Sequence, residues 1–258
     1  MENGKVKKGV PGTEILFTRD LTKTYSGVSR PAVKDFNISI SEGEIFGLLG
    51  PNGAGKTTVI SMMSTLLKPT KGSITIYGID VVKHPADVKK LIGYVPQEVA
   101  LYSNLSVREN LFFLGRVSGL HGRRLKQRVS ECIDFVGLEE NADQRVYTYS
   151  GGMKRRANLA AGILNVPKVL FLDEPTVGID PQSRSLILEK LSEIKKNTTM
   201  IYTTHYMGEV EAVCSTVAIM DEGSIIAEGT AGELIDRIPG CANLEDVFIA
   251  LTGRHLRD

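Results

Sequence analysis

The residues from Gly50 to Thr58 read Gly-Pro-Asn-Gly-Ala-Gly-Lys-Thr-Thr, and Gly50, Gly55, Lys56 and Thr57 fill the fixed places of G-x-x-x-x-G-K-[ST]. The chemistry of that spacing is phosphate binding. Gly50, Gly53 and Gly55 permit backbone angles closed to other residues and let an anion come close. The amides of a following helix point at the anion, with the helix dipole behind them. Lys56 supplies a mobile cation for the β and γ phosphates of ATP, and the Thr57 hydroxyl is placed to ligate Mg²⁺. Pro51, Asn52, Ala54 and Thr58 complete the candidate ATP-binding stretch.

A second chemical stretch is Val169-Leu170-Phe171-Leu172-Asp173-Glu174. Four apolar residues predict a strand buried on both faces, with two carboxylates at its end. Asp173 suits a metal ligand acting through water. Glu174 suits a base that takes the proton from an attacking water or orients it. The competing reading is a helix N-cap before Pro175. Three more residues lie where strands should end. Gln97 follows Pro96, which stops a ladder, and can hold a metal-bound water or simply be a solvated loop glutamine. His205 follows Met200 to Thr204 and can donate to a γ-phosphate or be an ordinary surface histidine. Tyr25 lies near the same end of the sheet and can stack on adenine or pack as a plain tyrosine. Ser150-Gly151-Gly152 opens another helix with exposed amides, a second anion site. One nucleotide does not need two phosphate-gripping turns, so this one makes sense against the ATP of another subunit; in isolation it is a plain N-cap.

These residues require a framework. Glu44 to Leu49 predicts a buried parallel strand. Val59, Ile60, Met62, Met63, Leu66 and Leu67 recur at helical spacing after the phosphate loop. Strands are predicted from Ile15 to Phe17, over 35–40 with Phe36, Ile38 and Ile40 on one face, over 73–77 and over 91–95. From about 99 to 164 the pattern turns helical. Ser106 and Glu109 form a capping box for 107–117, and a second helix over 124–136 ends before Gly137. Arg123, Arg124, Lys126 and Arg128 are read as its solvated face. Asp180 precedes a helix over 183–195. Residues 216–220 and 224–227 read as a hairpin turned at Asp221-Glu222-Gly223. Residues 244–251 read as a last amphipathic helix. The fold class is therefore α/β: a P-loop ATPase core with a mixed sheet, an N-terminal antiparallel β subdomain and an inserted helical lobe. Residues 1–12 are read as a loose tail and 13–254 as the ATPase domain.

Composition narrows the classes further. The chain has 258 residues, 42% hydrophobic and 24% charged, with 31 basic and 30 acidic side chains. A net charge of +1 gives no sign of a nucleic-acid-binding surface. Cys132, Cys214 and Cys241 are scattered and read as reduced thiols of a cytoplasmic protein. No stretch approaches the roughly 20 apolar residues of a membrane span. The expected place is peripheral, on the inner face of the cell membrane through a partner.

Together these stretches resemble the ATP-binding subunit of an ABC transporter, over about Ile15 to Arg254 and in that family's order. The resemblance implies that Tyr25 stacks on adenine, that Gln97 senses Mg²⁺ and γ-phosphate, and that His205 contacts γ-phosphate. It implies that Ser150, Gly151 and Gly152 grip the ATP of a second ATPase subunit in an ATP-dependent homodimer. It assigns Asp180 to signalling across that dimer and adds a separate transmembrane permease. Tyr149 and Met153 depart from the usual Leu-Ser-Gly-Gly-Gln, but the Ser-Gly-Gly core is intact. The Tyr-Ser-Gly-Gly-Met version, followed by Lys154-Arg155-Arg156, is similar to exporters of drugs, antibiotics or sodium, and so is the stretch from Leu244 to Gly253. The alternatives are a soluble ABC ATPase acting on ribosomes or DNA, which usually has two ATPase units or a long coiled coil, and a P-loop kinase or GTPase. The chain has one set of motifs and no guanine-reading Asn-Lys-x-Asp.

Overall fold

The computed structural model describes residues 13–253. The tail read at 1–12 and the final residue of the expected domain, Arg254, lie outside the described residues. In chain order the elements are β1 (Glu14–Lys23), β2 (Val33–Phe36), β3 (Ser39–Ser41), β4 (Ile45–Leu49), α1 (Lys56–Met63), β5 (Lys71–Ile76), β6 (Ile79–Asp80), α2 (Pro85–Val88) and β7 (Ile92–Val95). Then come α3 (Val107–Val117), α4 (Gly122–Phe135), α5 (Gly151–Ile163), β8 (Val169–Asp173), α6 (Pro181–Ile194), β9 (Thr199–Thr204) and α7 (Met207–Val213). The chain continues through β10 (Thr216–Asp221), β11 (Ser224–Gly229), α8 (Ala231–Arg237) and α9 (Leu244–Thr252).

The central sheet runs β11-β10-β4-β9-β8-β7, parallel except for the β10–β11 hairpin. A smaller antiparallel sheet is built on β1, which pairs with β2, β3 and β5. The mixed sheet, antiparallel subdomain and helical insert match the expected class.

The apolar runs of β4, β8 and β9 are continuous because both faces of these strands are covered. Ile45, Leu170, Leu172, Met200 and Tyr202 face a core shared with α3, α4, α5 and α6. Their alternates Phe46, Leu48, Phe171 and Ile201 face α1 and the antiparallel sheet. Each such side chain, fully buried, contributes about 1.5–3 kcal/mol. Gly93 and Gly162 bring α5 against the edge strand β7: a Cβ on Gly93 would lie 2.2 Å from the Gly162 carbonyl.

The helical lobe is locked by two arginines in opposite directions. Arg128 of α4 donates to the carbonyls of Ile163 and Leu164 at the end of α5, at 3.0 and 3.1 Å. Arg156 of α5 donates to Val136 and Gly137 at the end of α4, both at 2.7 Å. Each places a cation on the negative end of the other's helix dipole. Arg128 is therefore not part of a solvated face, although Arg123, Arg124 and Lys126 are exposed. The capping box of Ser106 and Glu109 is present as expected.

Several expectations need correction. The strand expected over 35–40 is two, because Asp35 adopts a left-handed φ of 46° and Asn37 folds back onto the Asp35 carbonyl. Thr18 spans the break, donating to Phe36 O and accepting from Ile38 N. Helix α1 stops at Met63, where Thr65 turns left-handed, so Leu66 is 61% exposed rather than on the helix's buried face. Short elements β6, α2, α7 and α8 carry too few turns for periodicity to reveal. Among the described residues no helix is long and apolar enough to cross a membrane.

Candidate functional site

The phosphate loop joins β4 to α1, as its sequence requires. A Cβ on Gly50 would lie 2.4 Å from the Met220 carbonyl. Gly55 has φ 102°, and a Cβ there would meet the Ala32 carbonyl at 2.5 Å. Neither place admits another residue without moving backbone. Lys56 folds back over the loop, with Nζ donating to the carbonyls of Gly50 at 2.7 Å and Pro51 at 3.2 Å. It is only 5% exposed, and burial lowers its pKa against the opposing pull of Glu174 and Asp173.

The two carboxylates sit at the end of β8 beside β9. Asp173 Oδ1 accepts from Thr203 at 2.7 Å and from Thr57 at 3.3 Å. Burial raises its pKa, while those hydroxyls and Lys56 oppose the rise. Glu174 turns out of the strand with φ 46°, its amide donating to Thr203 O at 3.1 Å. That left-handed turn, with no helix following, rules out the N-cap reading. One Glu174 oxygen pairs with Lys56 Nζ at 3.5 Å. The other accepts from Gln97 Nε2 at 3.4 Å and lies 3.3 Å from His205 Nδ1. The His205 contact lacks hydrogen-bond geometry, leaving Nδ1 buried without a donor or acceptor partner. Three groups from three chain segments thus converge on one buried carboxylate at the C-terminal edge of the parallel strands, where open α/β sheets hold ligands.

A cleft of about 410 Å³ borders the loop, lined among others by Tyr25, Val28, Pro31, Asn52, Gly53 and Glu222. Tyr25 is 44% exposed, and its hydroxyl lies 3.2 Å from the Thr58 hydroxyl. Its ring therefore stands at the loop, with Lys23 Nζ 5.5 Å over one face.

Ser150 caps α5, its Oγ accepting from Met153 N at 3.2 Å. The first-turn amides of Gly151 and Gly152 have no intrahelical acceptor. Asp180 caps α6, accepting from Ser183 N at 2.9 Å and Ser183 Oγ at 2.7 Å. The two helix starts abut: a Cβ on Gly152 would lie 2.1 Å from Ser183 Oγ. Ser150, Gly151, Gly152 and Asp180 therefore form one corner. Among the described residues no hydrogen bond or ion pair joins that corner to Gly50–Thr58.

Sequence reasoning missed the supports. Thr203 holds both Asp173 and the Glu174 amide. Asn158 of α5 brackets the Gln97 loop, donating to Pro96 O at 3.0 Å and accepting from Ala100 N at 3.2 Å. Arg155 donates to Gln97 O and, at 3.2 Å, to Val177 O. The signal for Asn158 was a polar residue amid Ala157, Leu159 and Ala160 on a buried helix face. Arg155 sat in a basic run that gave no such cue.

A metal has a place here only in company. Among the described residues no cluster of three or more His, Cys, Asp or Glu side chains would hold one alone. The Thr57 hydroxyl and Asp173 carboxylate fit a cation whose other ligands are phosphate and water, the habit of Mg²⁺.

Residues 33–177 match the family model described as ABC transporter. The linearmycin resistance ATP-binding protein LnrL of Bacillus subtilis (strain 168) is 46% identical over 239 residues, 92% of this chain and 75% of that protein. The doxorubicin resistance ATP-binding protein DrrA of Mycobacterium tuberculosis (strain ATCC 25618 / H37Rv) is 41% identical over 237 residues, 92% of this chain and 70% of that protein. A solved ATP-binding subunit of an ABC transporter superposes with a TM-score of 0.83 at 27% identity, covering 92% of this chain and 99% of that one. A dimeric post-hydrolysis ATP-binding cassette bound to ADP and Pi superposes with a TM-score of 0.77 at 25% identity, covering 84% of this chain and 98% of that one.

Proposed function

The chain belongs to the ABC transporter family as an ATP-binding, ATP-hydrolysing subunit, and from that premise we propose that it powers export through a separate membrane-spanning permease. The relatives named for linearmycin and doxorubicin resistance support the direction. The permease places the subunit at the inner face of the cell membrane.

In this reading adenine stacks on Tyr25 and the triphosphate lies on the loop. Lys56 meets the β and γ phosphates. The phosphates replace Glu174 as the partner of Lys56, which releases the Glu174 carboxylate to orient and deprotonate water. Gln97 and His205, already within 3.4 Å of that carboxylate, position the water and the γ-phosphate. Thr57 and Asp173 would hold Mg²⁺, which would supply positive charge against the phosphate oxygens. Ser150, Gly151 and Gly152 grip the ATP of the second subunit, and Asp180 beside them reports across the dimer.

The observation that carries the reading is the convergence of Lys56, Gln97 and His205 on Glu174, next to the Thr57–Asp173 pair. Lys56→Ala removes the loop's mobile cation, so phosphate release from ATP should fall to background. Turnover at the wild-type rate would overturn the site assignment.

A further inference from the structure

A third buried carboxylate, outside the phosphate site, gathers the segments that carry Glu174 and His205. Glu209, on α7, is 3% exposed. Its Oε1 accepts from Thr176 at 2.7 Å and lies 3.3 Å from Arg184 Nε. Its Oε2 accepts from the hydroxyls of Tyr202 at 2.7 Å and Thr204 at 2.8 Å. Thr176, Tyr202 and Thr204 are each at most 1% exposed. Burial, then the charge of Glu209, holds the Tyr202 hydroxyl well above its ordinary pKa, so it remains a donor.

The partners lie on three segments. Tyr202 and Thr204 end β9, immediately before His205. Thr176 lies two residues after Glu174, within the stretch that leads to Asp180. Arg184 lies in the first turns of α6, and its guanidinium stacks over Tyr206 at 4.3 Å. Tyr206 in turn lies 4.2 Å, ring to ring, from His205. The Tyr206 amide donates to Thr204 Oγ1 at 3.0 Å. Apolar side chains of equal volume would fill this space with similar or better stability. What they lack is direction: a carboxylate with three hydroxyl donors fixes where each bearer points, while Arg184 adds charge without hydrogen-bond geometry.

We propose that Glu209 is a positioning residue that clamps the His205 loop to the Glu174–Asp180 segment, so that the water-activating carboxylate and the histidine keep one relative geometry. It touches none of Gly50–Thr58 through any hydrogen bond or ion pair among the described residues, so its effect falls on the chemical step and not on ATP affinity. The inference rests on the ATPase reading above.

The test uses the full chain and compares Thr176→Val, which keeps volume but removes a donor to Glu209, with Thr176→Ser, which keeps the donor. Thr176→Val should lower kcat by roughly ten- to a hundredfold, the size expected of small misplacements in a reacting pair. Its Kd for ATP should stay within about twofold, and Thr176→Ser should recover most of the rate. In a His205→Ala background, Thr176→Val should cost less than about a further twofold of the residual turnover, because the geometry it protects is already gone. Glu209→Gln, which turns one acceptor oxygen into a donor, should behave like Thr176→Val and serves if the valine variant does not fold. A wild-type kcat in Thr176→Val, or an equal fold loss with and without His205, overturns the proposal. Those results leave the ATPase reading standing if Lys56→Ala is inactive. An active Lys56→Ala overturns that reading instead.

Discussion

Glu174→Gln is the perturbation with the most to say, because the carboxylate pairs with Lys56 and is also the proposed base. Without nucleotide it is the nearest counter-ion of Lys56, at 3.5 Å, with both side chains under 10% exposed. At an effective dielectric of about 20, two unit charges at that distance attract by about 5 kcal/mol. Glutamine keeps a dipole there, and Lys56 keeps the Gly50 and Pro51 carbonyls and the more distant Asp173. The net loss is then about 2 kcal/mol, below the roughly 3–5 kcal/mol of a buried charge left wholly alone. For a chain of this size that lowers Tm by roughly 4–8 °C without nucleotide. ATP restores the missing negative charge, so the stabilisation it confers should be larger in Glu174→Gln than in the wild type. Hydrolysis should stop, and the trapped nucleotide should hold two chains together on size exclusion. The assays are thermal unfolding with and without MgATP, phosphate release, and elution volume, run alone and with the permease. An unchanged Tm and an unchanged ATP shift would refute the counter-ion argument. Full turnover would refute the catalytic role. A hydrolysis-dead variant that stays monomeric with ATP in both settings would refute the gripping role of Ser150 to Gly152.

Three further outcomes follow from the geometry. Adding Ser150→Arg to Glu174→Gln should return the ATP-bound species to monomer by filling the phosphate's place, while ATP binding to the Lys56 loop persists; a surviving dimer on size exclusion counts against the assignment. Asp173→Asn should be stabilising without nucleotide at neutral pH yet lose hydrolysis. The folded-state pKa of Asp173 is raised, so the native chain binds that proton more tightly than the unfolded one, and the stability cost of ionising it grows as pH rises above about 4. The Tm difference between variant and wild type should therefore widen with pH above about 4, and a flat difference would refute the burial argument. Tyr102, 56% exposed, packs edge-on against Phe113 beside the Gln97 loop, and crosslinkers placed there should reach the permease; crosslinks only from the basic face around Arg124 would move the docking surface.

Much of this was legible before any coordinates. A short apolar run, a glycine loop and a helix place Lys56 and Thr57 with little freedom, because local sterics dictate the turn. The capping box of α3 and the doubly buried strand ending at Asp173 are equally local signals. The order β11-β10-β4-β9-β8-β7 is not local, and with it goes the convergence on Glu174. Gln97, Glu174 and His205 are brought together by neighbouring strands that lie far apart in sequence. Arg128 read as one more surface cation because its partners, the last carbonyls of α5, appear only once two helices pack. Thr203 and Glu209 hid for the same reason: a threonine in a strand and a glutamate in an amphipathic helix show nothing unusual until their neighbours are known.

The Asn158 bracket has a mechanical consequence. Its side-chain amide spans Pro96 and Ala100, so the mouth of the Gln97 loop has a fixed width, and Arg155 pins the loop's middle through Gln97 O. Three hydrogen bonds thus tie the loop to one helix. A load on that loop is therefore carried into α5, whose first turn Ser150 caps. The Gln97–Glu174 contact and the Ser150 end of α5 thus belong to one connected piece, and neither can be displaced without straining the bonds that join them.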